Sequence, residues 1–262
     1  MSTMRWTRVF AGLLLGAAGL EAQSAIASRP EPIATRIDSF TVREGTWMSV
    51  DIAPNGQTLA IEVLGDVFAL PTSGGIARPL FTGTAFQSQP RYAPDGASLA
   101  FISDESGSDN VWVARADGSA PRRLSDVPRA LMLSPAWSAD GRAIFATVVR
   151  NRVAEMWRFD VATGAGTVMV PNMNGPASPL VSSPAPGPYS AHASADGRWL
   201  YYTNVTPRPY GSRLGASSGI VRRAIGSGQE ERLVLEEPMA MAPVVSRDGR
   251  WLVYAAQSRG RT

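Results

Sequence analysis

The residues able to do chemistry are few, and their positions matter more than their number. The only histidine, His192, stands four residues before Asp196 in a Ser-Ala-Asp-Gly phrase. Aligned on the glycines of related phrases, the same slot holds Asp51, Arg91, Ala136 and Val244. A carboxylate, a guanidinium and an imidazole at one repeated position could line a shared surface, so Asp51, Arg91 and His192 are the candidate binding residues. One histidine cannot build a familiar two-histidine metal site, and a hydrogen bond within an interface is the plainer role for His192. Gly215-Ala216-Ser217-Ser218-Gly219 matches the nucleophile-elbow pattern. That motif needs a strand-to-helix turn with an acid and a histidine downstream. Here the histidine lies upstream, and a flexible Gly/Ser loop is the better reading. The acidic run Ser103 to Asn110 lacks the alternating spacing and terminal Glu of a calcium loop, and reads as a polar connection.

Composition narrows the chemistry further. The 262 residues include 25 basic ones, every one arginine, against 22 acidic ones, with no cysteine. Absence of lysine removes a P-loop lysine and a Schiff base; absence of cysteine removes disulfides, thiolate nucleophiles and cysteine-bound zinc. On these grounds the chain is expected to be no enzyme and to need no cofactor or metal. The isoelectric point of 9.7 arises because little titrates between the carboxylates and tyrosine. The arginines are scattered, with only Arg122-Arg123 and Arg222-Arg223 adjacent, so no nucleic-acid partner is expected.

The N-terminus reads as a secretory signal. Arg5 and Arg8 precede an apolar run from Val9 to Leu20, too short for an ordinary membrane span, and Ala25-Ile26-Ala27 offers a cleavage site after Ala27. A periplasmic or secreted location follows, with no stable membrane span after removal of residues 1–27.

A repeat must position the candidate residues. Ala53-Pro54-Asn55-Gly56, Ala93-Pro94-Asp95-Gly96, Ser138-Ala139-Asp140-Gly141, Ser194-Ala195-Asp196-Gly197 and Ser246-Arg247-Asp248-Gly249 recur at glycine spacings of 40, 45, 56 and 52. Each sits between two β-prone runs, a hairpin signal attributed to turn residues that both tolerate positive φ. A third run with an aromatic and a fourth after a Gly-containing turn complete the unit. Four short strands per repeat describe a propeller blade, whose faces must stack on neighbours to be buried. Blades are expected near 47–82, 87–125, 131–170 and 188–235, with a partial fifth at 240–262. Trp112, Trp137, Trp157, Trp199 and Trp251 read as core. Residues 28–46 contain a run, Ile37 to Val42, able to act as a ring-closing strand. The expected fold is therefore an all-β propeller with four full four-stranded blades plus a partial fifth, as an open or truncated ring. Long insertions at 171–187 and 205–219 should emerge on one face, opposite the Asp/Asn-Gly turns.

Glu44-Gly45-Thr46-Trp47-Met48-Ser49-Val50-Asp51-Ile52, the Leu64-Gly65-Asp66-Val67 turn and Ser88-Gln89-Pro90-Arg91-Tyr92 resemble the N-terminal TolB-like propeller of secreted bacterial amidohydrolase-related proteins. The resemblance covers Arg36 to Thr262. It implies a metal-dependent barrel after the propeller, and a partner in the form of a linked or associated hydrolase domain. None of the barrel's histidine-rich motif is in this sequence. Three functions compete: a non-catalytic binding or scaffolding propeller of that type, a free periplasmic TolB-type adaptor for envelope proteins, and a substrate-gating propeller of a prolyl-oligopeptidase-like serine peptidase.

Overall fold

The computed structural model describes residues 44–45, 48–172, 185–207, 216–234 and 239–256. The signal segment, the 37–42 run and most of the 171–187 insertion lie outside the described residues.

Eighteen strands follow one another among the described residues, in five antiparallel sheets. The first blade holds β1 (Val50–Ile52), β2 (Thr58–Val63), β3 (Asp66–Pro71) and β4 (Arg78–Phe81), hydrogen-bonded in that order. The second holds β5 (Gln87–Tyr92), β6 (Ser98–Ser103), β7 (Asn110–Arg115) and β8 (Arg122–Arg123). The third holds β9 (Leu131–Trp137), β10 (Ala143–Arg150), β11 (Val153–Asp160) and β12 (Gly166–Val170). The fourth holds β13 (Gly187–Ala193), β14 (Trp199–Pro207), β15 (Ala216–Ala224) and β16 (Glu230–Val234). A hairpin of β17 (Ala240–Val245) and β18 (Leu252–Ala256) is the described part of the fifth. The fold is that of an all-β propeller built of successive antiparallel blades. No helix among the described residues is long and apolar enough to cross a membrane.

Strand alternation here does not separate a wet face from a dry one. On β6, Leu99 and Phe101 join Ala60, Val67 and Phe81 of the first blade, while Ala100 and Ile102 join Met132, Ile144 and Phe159 of the third. On β10, Ile144, Ala146 and Val148 face the second blade, whereas Phe145 packs with Leu200, Tyr202 and Val221 of the fourth. Each core is thus a layer between two blades, and a central strand carries apolar residues on both of its faces. Phe81 and Phe101 stack across one such layer with ring centroids 4.3 Å apart. Trp137 is buried, but Trp251 is 68% exposed, so it does not serve as core on the described face.

The repeated turns differ in mechanism from the sequence expectation. Only the glycine takes positive φ: 71° at Gly56 and Gly96, 68° at Gly141 and Gly249, 69° at Gly197. Its N–H donates to the carbonyl three residues earlier, for example Gly141 to Ser138 at 3.0 Å. The Asn or Asp before it instead accepts from the backbone two residues on, as at Asp196 from Arg198 (3.0 Å) and Asp248 from Arg250 (3.0 Å). This is a type I turn closed by a left-handed glycine, with an Asx bond holding it. Turns with positive φ at both central residues do occur, at Leu64-Gly65 and Asn151-Arg152, on the β2–β3 and β10–β11 connections.

Candidate functional site

The first strand of each blade borders a common space. β1, β5, β9, β13 and β17 contribute to the wall of one cavity of about 590 Å³. Asp51, Arg91, Ala136, His192 and Val244 all lie on that wall, one from each blade. The equal offset from each turn glycine, together with stacking of like blades, brings residues distant in sequence to one level.

Each polar member is held by the backbone of a neighbouring strand. Asp51 Oδ2 accepts the Tyr92 N–H at 2.7 Å. Burial raises the Asp51 pKa, while the Tyr92 bond and the Arg91 charge act against that rise. Arg91 Nη1 donates to Pro90 O at 2.8 Å and to Val50 O at 3.4 Å, and Trp137 Nε1 donates to Arg91 O at 3.0 Å. Burial lowers the Arg91 pKa and the Asp51 carboxylate opposes it; guanidinium stays charged because its ordinary value is so far above neutrality. His192 Nδ1 accepts the Val245 N–H at 3.4 Å, across the interface between β13 and β17. That bond leaves the proton of the neutral ring on Nε2. Burial, and then the positive charge of Arg91, hold His192 below its ordinary pKa of 6.5. The wall therefore presents a carboxylate, a fixed cation and a neutral imidazole beside apolar Val50, Ala136, Trp137 and Val244. Arg247, also on the wall, donates to Pro54 O at 3.3 Å and so links the β17–β18 turn to the β1–β2 turn.

A second level of polar contacts escaped the sequence reading. Seven residues before four of the turn glycines stand Gln89, Ser134, Ser190 and Ala242, each left-handed, with φ between 51° and 54°. Each marks a break in register of its first strand against the next. Such a bulge turns backbone and side-chain groups out of the ladder and toward the neighbouring blade. Gln89 N donates to Ser49 Oγ at 3.0 Å, and Ser134 N donates to Gln89 Oε1 at 2.5 Å. The Ser134 and Ser190 hydroxyls are 3.5 Å apart, and Ala242 N donates to Thr203 Oγ1 at 3.0 Å. Buried Glu62 accepts from Ser49 Oγ at 2.5 Å and from Gln89 N at 3.2 Å. Small or amide residues at the fixed offset, three of the four followed by proline, were the available signal.

The remaining sequence candidates lie elsewhere. Ser217, Ser218 and Gly219 are part of β15 and not of a loop: Ser217 pairs with Thr206 and Ser218 with Val205. The Gly-Ala-Ser-Ser-Gly segment runs into a strand, so no strand-to-helix elbow forms around Ser217. Residues 104–109 connect β6 to β7, where Asn110 Nδ2 donates to Ser106 Oγ (3.0 Å) and Ser108 O (3.1 Å). Burial and the charge of Asp104 raise the Asp109 pKa.

Comparison with known proteins defines the fold and corrects one expectation. No family model matches the chain. It is 26% identical over 192 residues to the uncharacterized peptidase YuxL of Bacillus subtilis, an alignment covering 73% of this chain and 25% of YuxL. It is 28% identical over 147 residues to tricorn protease homolog 1 of Streptomyces coelicolor, covering 54% of this chain and 13% of that protein. Among solved structures, TolB from Agrobacterium tumefaciens superposes with a TM-score of 0.64 at 21% identity, over 80% of this chain and 69% of that one. The tricorn protease superposes at 0.54 with 16% identity, over 84% of this chain and 20% of that one. The chain thus spans about a quarter or less of the length of these two curated relatives. The expectation that it is no enzyme, drawn from missing lysine and cysteine, is overturned by relatives that carry peptidase names. Its physical flaw is that composition excludes particular nucleophiles and metal ligands, and not hydrolysis as a class.

Proposed function

We propose that this propeller serves a peptidase, with its central cavity receiving peptide in extended form. The observation that carries the reading is the cavity wall itself, where Asp51, Arg91 and His192 come together from three blades. The C-terminus of a peptide offers a carboxylate for Arg91, and Asp51 and the neutral His192 ring can exchange hydrogen bonds with the peptide groups that precede it. The cavity volume of about 590 Å³ falls in the ordinary range for ligand sites. The names of the curated relatives support peptide hydrolysis over the amidohydrolase chemistry implied by the sequence resemblance. Export through the N-terminal signal would place this activity outside the cytoplasm, where peptides of many sequences are met.

Titration with penta-alanine tests this reading, followed by intrinsic tryptophan fluorescence, to which Trp137 contributes from the cavity wall, with a Trp137→Phe variant identifying its share. Saturable binding is expected, weakened about tenfold or more by Arg91→Ala. It should also weaken when the peptide is acetylated and amidated. Equal binding of free and blocked peptides by both proteins, or no saturation at millimolar peptide, overturns the proposal.

A further inference from the structure

A second cavity, of about 310 Å³, opens between the β13–β14 turn of the fourth blade and the β17–β18 turn of the fifth hairpin. Its floor is Trp199, Tyr201 and Arg222. The register brings these three together. Leu200 and Tyr202 of β14 pack toward the third blade, so Trp199 and Tyr201, one residue out of step, face the other way. Arg222 of β15 stands opposite Tyr201 in the ladder and therefore shares its face. Ser194, Ala195 and Arg247 belong to the wall of this cavity and to the wall of the central one, so the two spaces adjoin.

Two features give the cavity a chemical character. The first is a held but uncovered ring. The Arg222 guanidinium lies 4.4 Å from the Trp199 ring centroid, and Arg222 Nε donates to Glu231 Oε2 at 2.8 Å, which fixes the stack. Among the described residues no aromatic ring stacks on Trp199, whereas Phe81 and Phe101 cover each other between the first two blades. The second is charge balance. Arg198 Nε pairs with Asp196 Oδ2 at 2.7 Å, and Arg222 is paired with Glu231. The charged groups left on the wall are Arg247 and Asp248, one of each sign and adjacent in one turn. With an aromatic floor and no net charge, the cavity suits a neutral planar ring better than an ion.

We propose that this cavity is a subsite for an aromatic side chain of the peptide bound in the central cavity, with Trp199 as its stacking surface. The inference rests on the peptide reading above. The border of Ser194, Ala195 and Arg247 lets one residue's side chain enter the subsite while the chain that carries it stays in the central space.

The test is calorimetric titration of the chain with penta-alanine and with pentapeptides in which phenylalanine replaces, in turn, each alanine before the last. At least one phenylalanine peptide should bind about tenfold more tightly than penta-alanine. Trp199→Leu should remove that gain and leave penta-alanine binding unchanged, since Trp199 is not on the wall of the central cavity. Trp199→Phe should keep most of the gain, because it restores a ring. A second readout in the unaltered chain is the indole N–H resonance of Trp199, identified by its loss in Trp199→Phe. It should shift with the tightest phenylalanine peptide and not with penta-alanine. Penta-alanine binding with no gain from phenylalanine at any position overturns the subsite alone, as does a gain that survives Trp199→Leu. Failure of every peptide to saturate overturns the reading of the central cavity and this subsite with it.

Discussion

The third blade and the fifth hairpin begin from nearly the same words and end in different environments. Ser138-Ala139-Asp140-Gly141 leads into β10, and Ser246-Arg247-Asp248-Gly249 leads into β18. Their turns are superimposable in detail. Glycine φ is 68° in both, the Ser Oγ to Asp Oδ1 distance is 2.6 Å in both, and the Asp accepts its backbone bond at 3.0 Å in both. Yet residues 143–148 of β10 are all buried, while no residue of β18 is. Turn geometry is a local property of four or five residues. Burial in a propeller belongs to the pair of blades that sandwich a strand, and β10 has both neighbours while β18 shows one.

The largest effect expected from this contrast is in the core. Phe145→Ala, at a site 1% exposed, should cost about 3–5 kcal/mol in chemical denaturation. Val253→Ala, at a site 66% exposed, should change stability by no more than about 0.5 kcal/mol. Comparable losses at the two sites would show that β18 is covered in solution and would break the contrast.

The bulge contacts sharpen the same contrast at a smaller scale. Gln89→Ala leaves the Ser134 N–H without its acceptor and should cost about 1–3 kcal/mol. Thr203→Val removes the acceptor of Ala242 N–H in the fifth hairpin, where water reaches the freed group more easily. Its effect on Tm should therefore be smaller, and an equal effect would mean that the hairpin is docked as firmly as the third blade.

Acid provides a third probe. His192 has a lowered pKa in the fold, so folding disfavours its protonated form. The resulting destabilisation is absent above pH 6.5 and grows as pH falls below that value, until the folded-state pKa is passed. Because Nδ1 accepts the Val245 N–H, protonation should loosen the fifth hairpin before the third blade. Amide exchange at Val245 is expected to accelerate over this range relative to Ala136, and His192→Gln should remove the acid dependence. An acceleration that survives His192→Gln would assign it to another group.

The turns make the smallest and most uniform prediction. Asp140→Ala and Asp248→Ala remove the same Asx bond and should lower Tm by similar small amounts, since neither loss involves an interblade layer.

Much of this molecule is legible in its sequence because its repeat is local. The Asp/Asn-Gly phrase, the flanking β-prone runs and the glycine spacing specify hairpins and blades, and the fixed offset from the glycine places Asp51, Arg91 and His192 on one level. The sequence reading also assigned Trp251 to the core, which the described structure does not support, because an indole is buried by a neighbouring blade and not by its own strand. The left-handed bulges at Gln89, Ser134, Ser190 and Ala242 are marked only by a following proline at three of the four, since the φ itself is set by tertiary constraint. The β15 placement of Ser217 to Gly219 was equally hidden: Gly and Ser favour loops in isolation, but pairing with Asn204 to Thr206 draws them into the ladder. The chain alone determined which short segments become strands and turns, because those preferences act over a few residues. Only the tertiary structure decided which faces are dry and which polar groups meet across blades, because those depend on atoms some forty or more residues away along the chain.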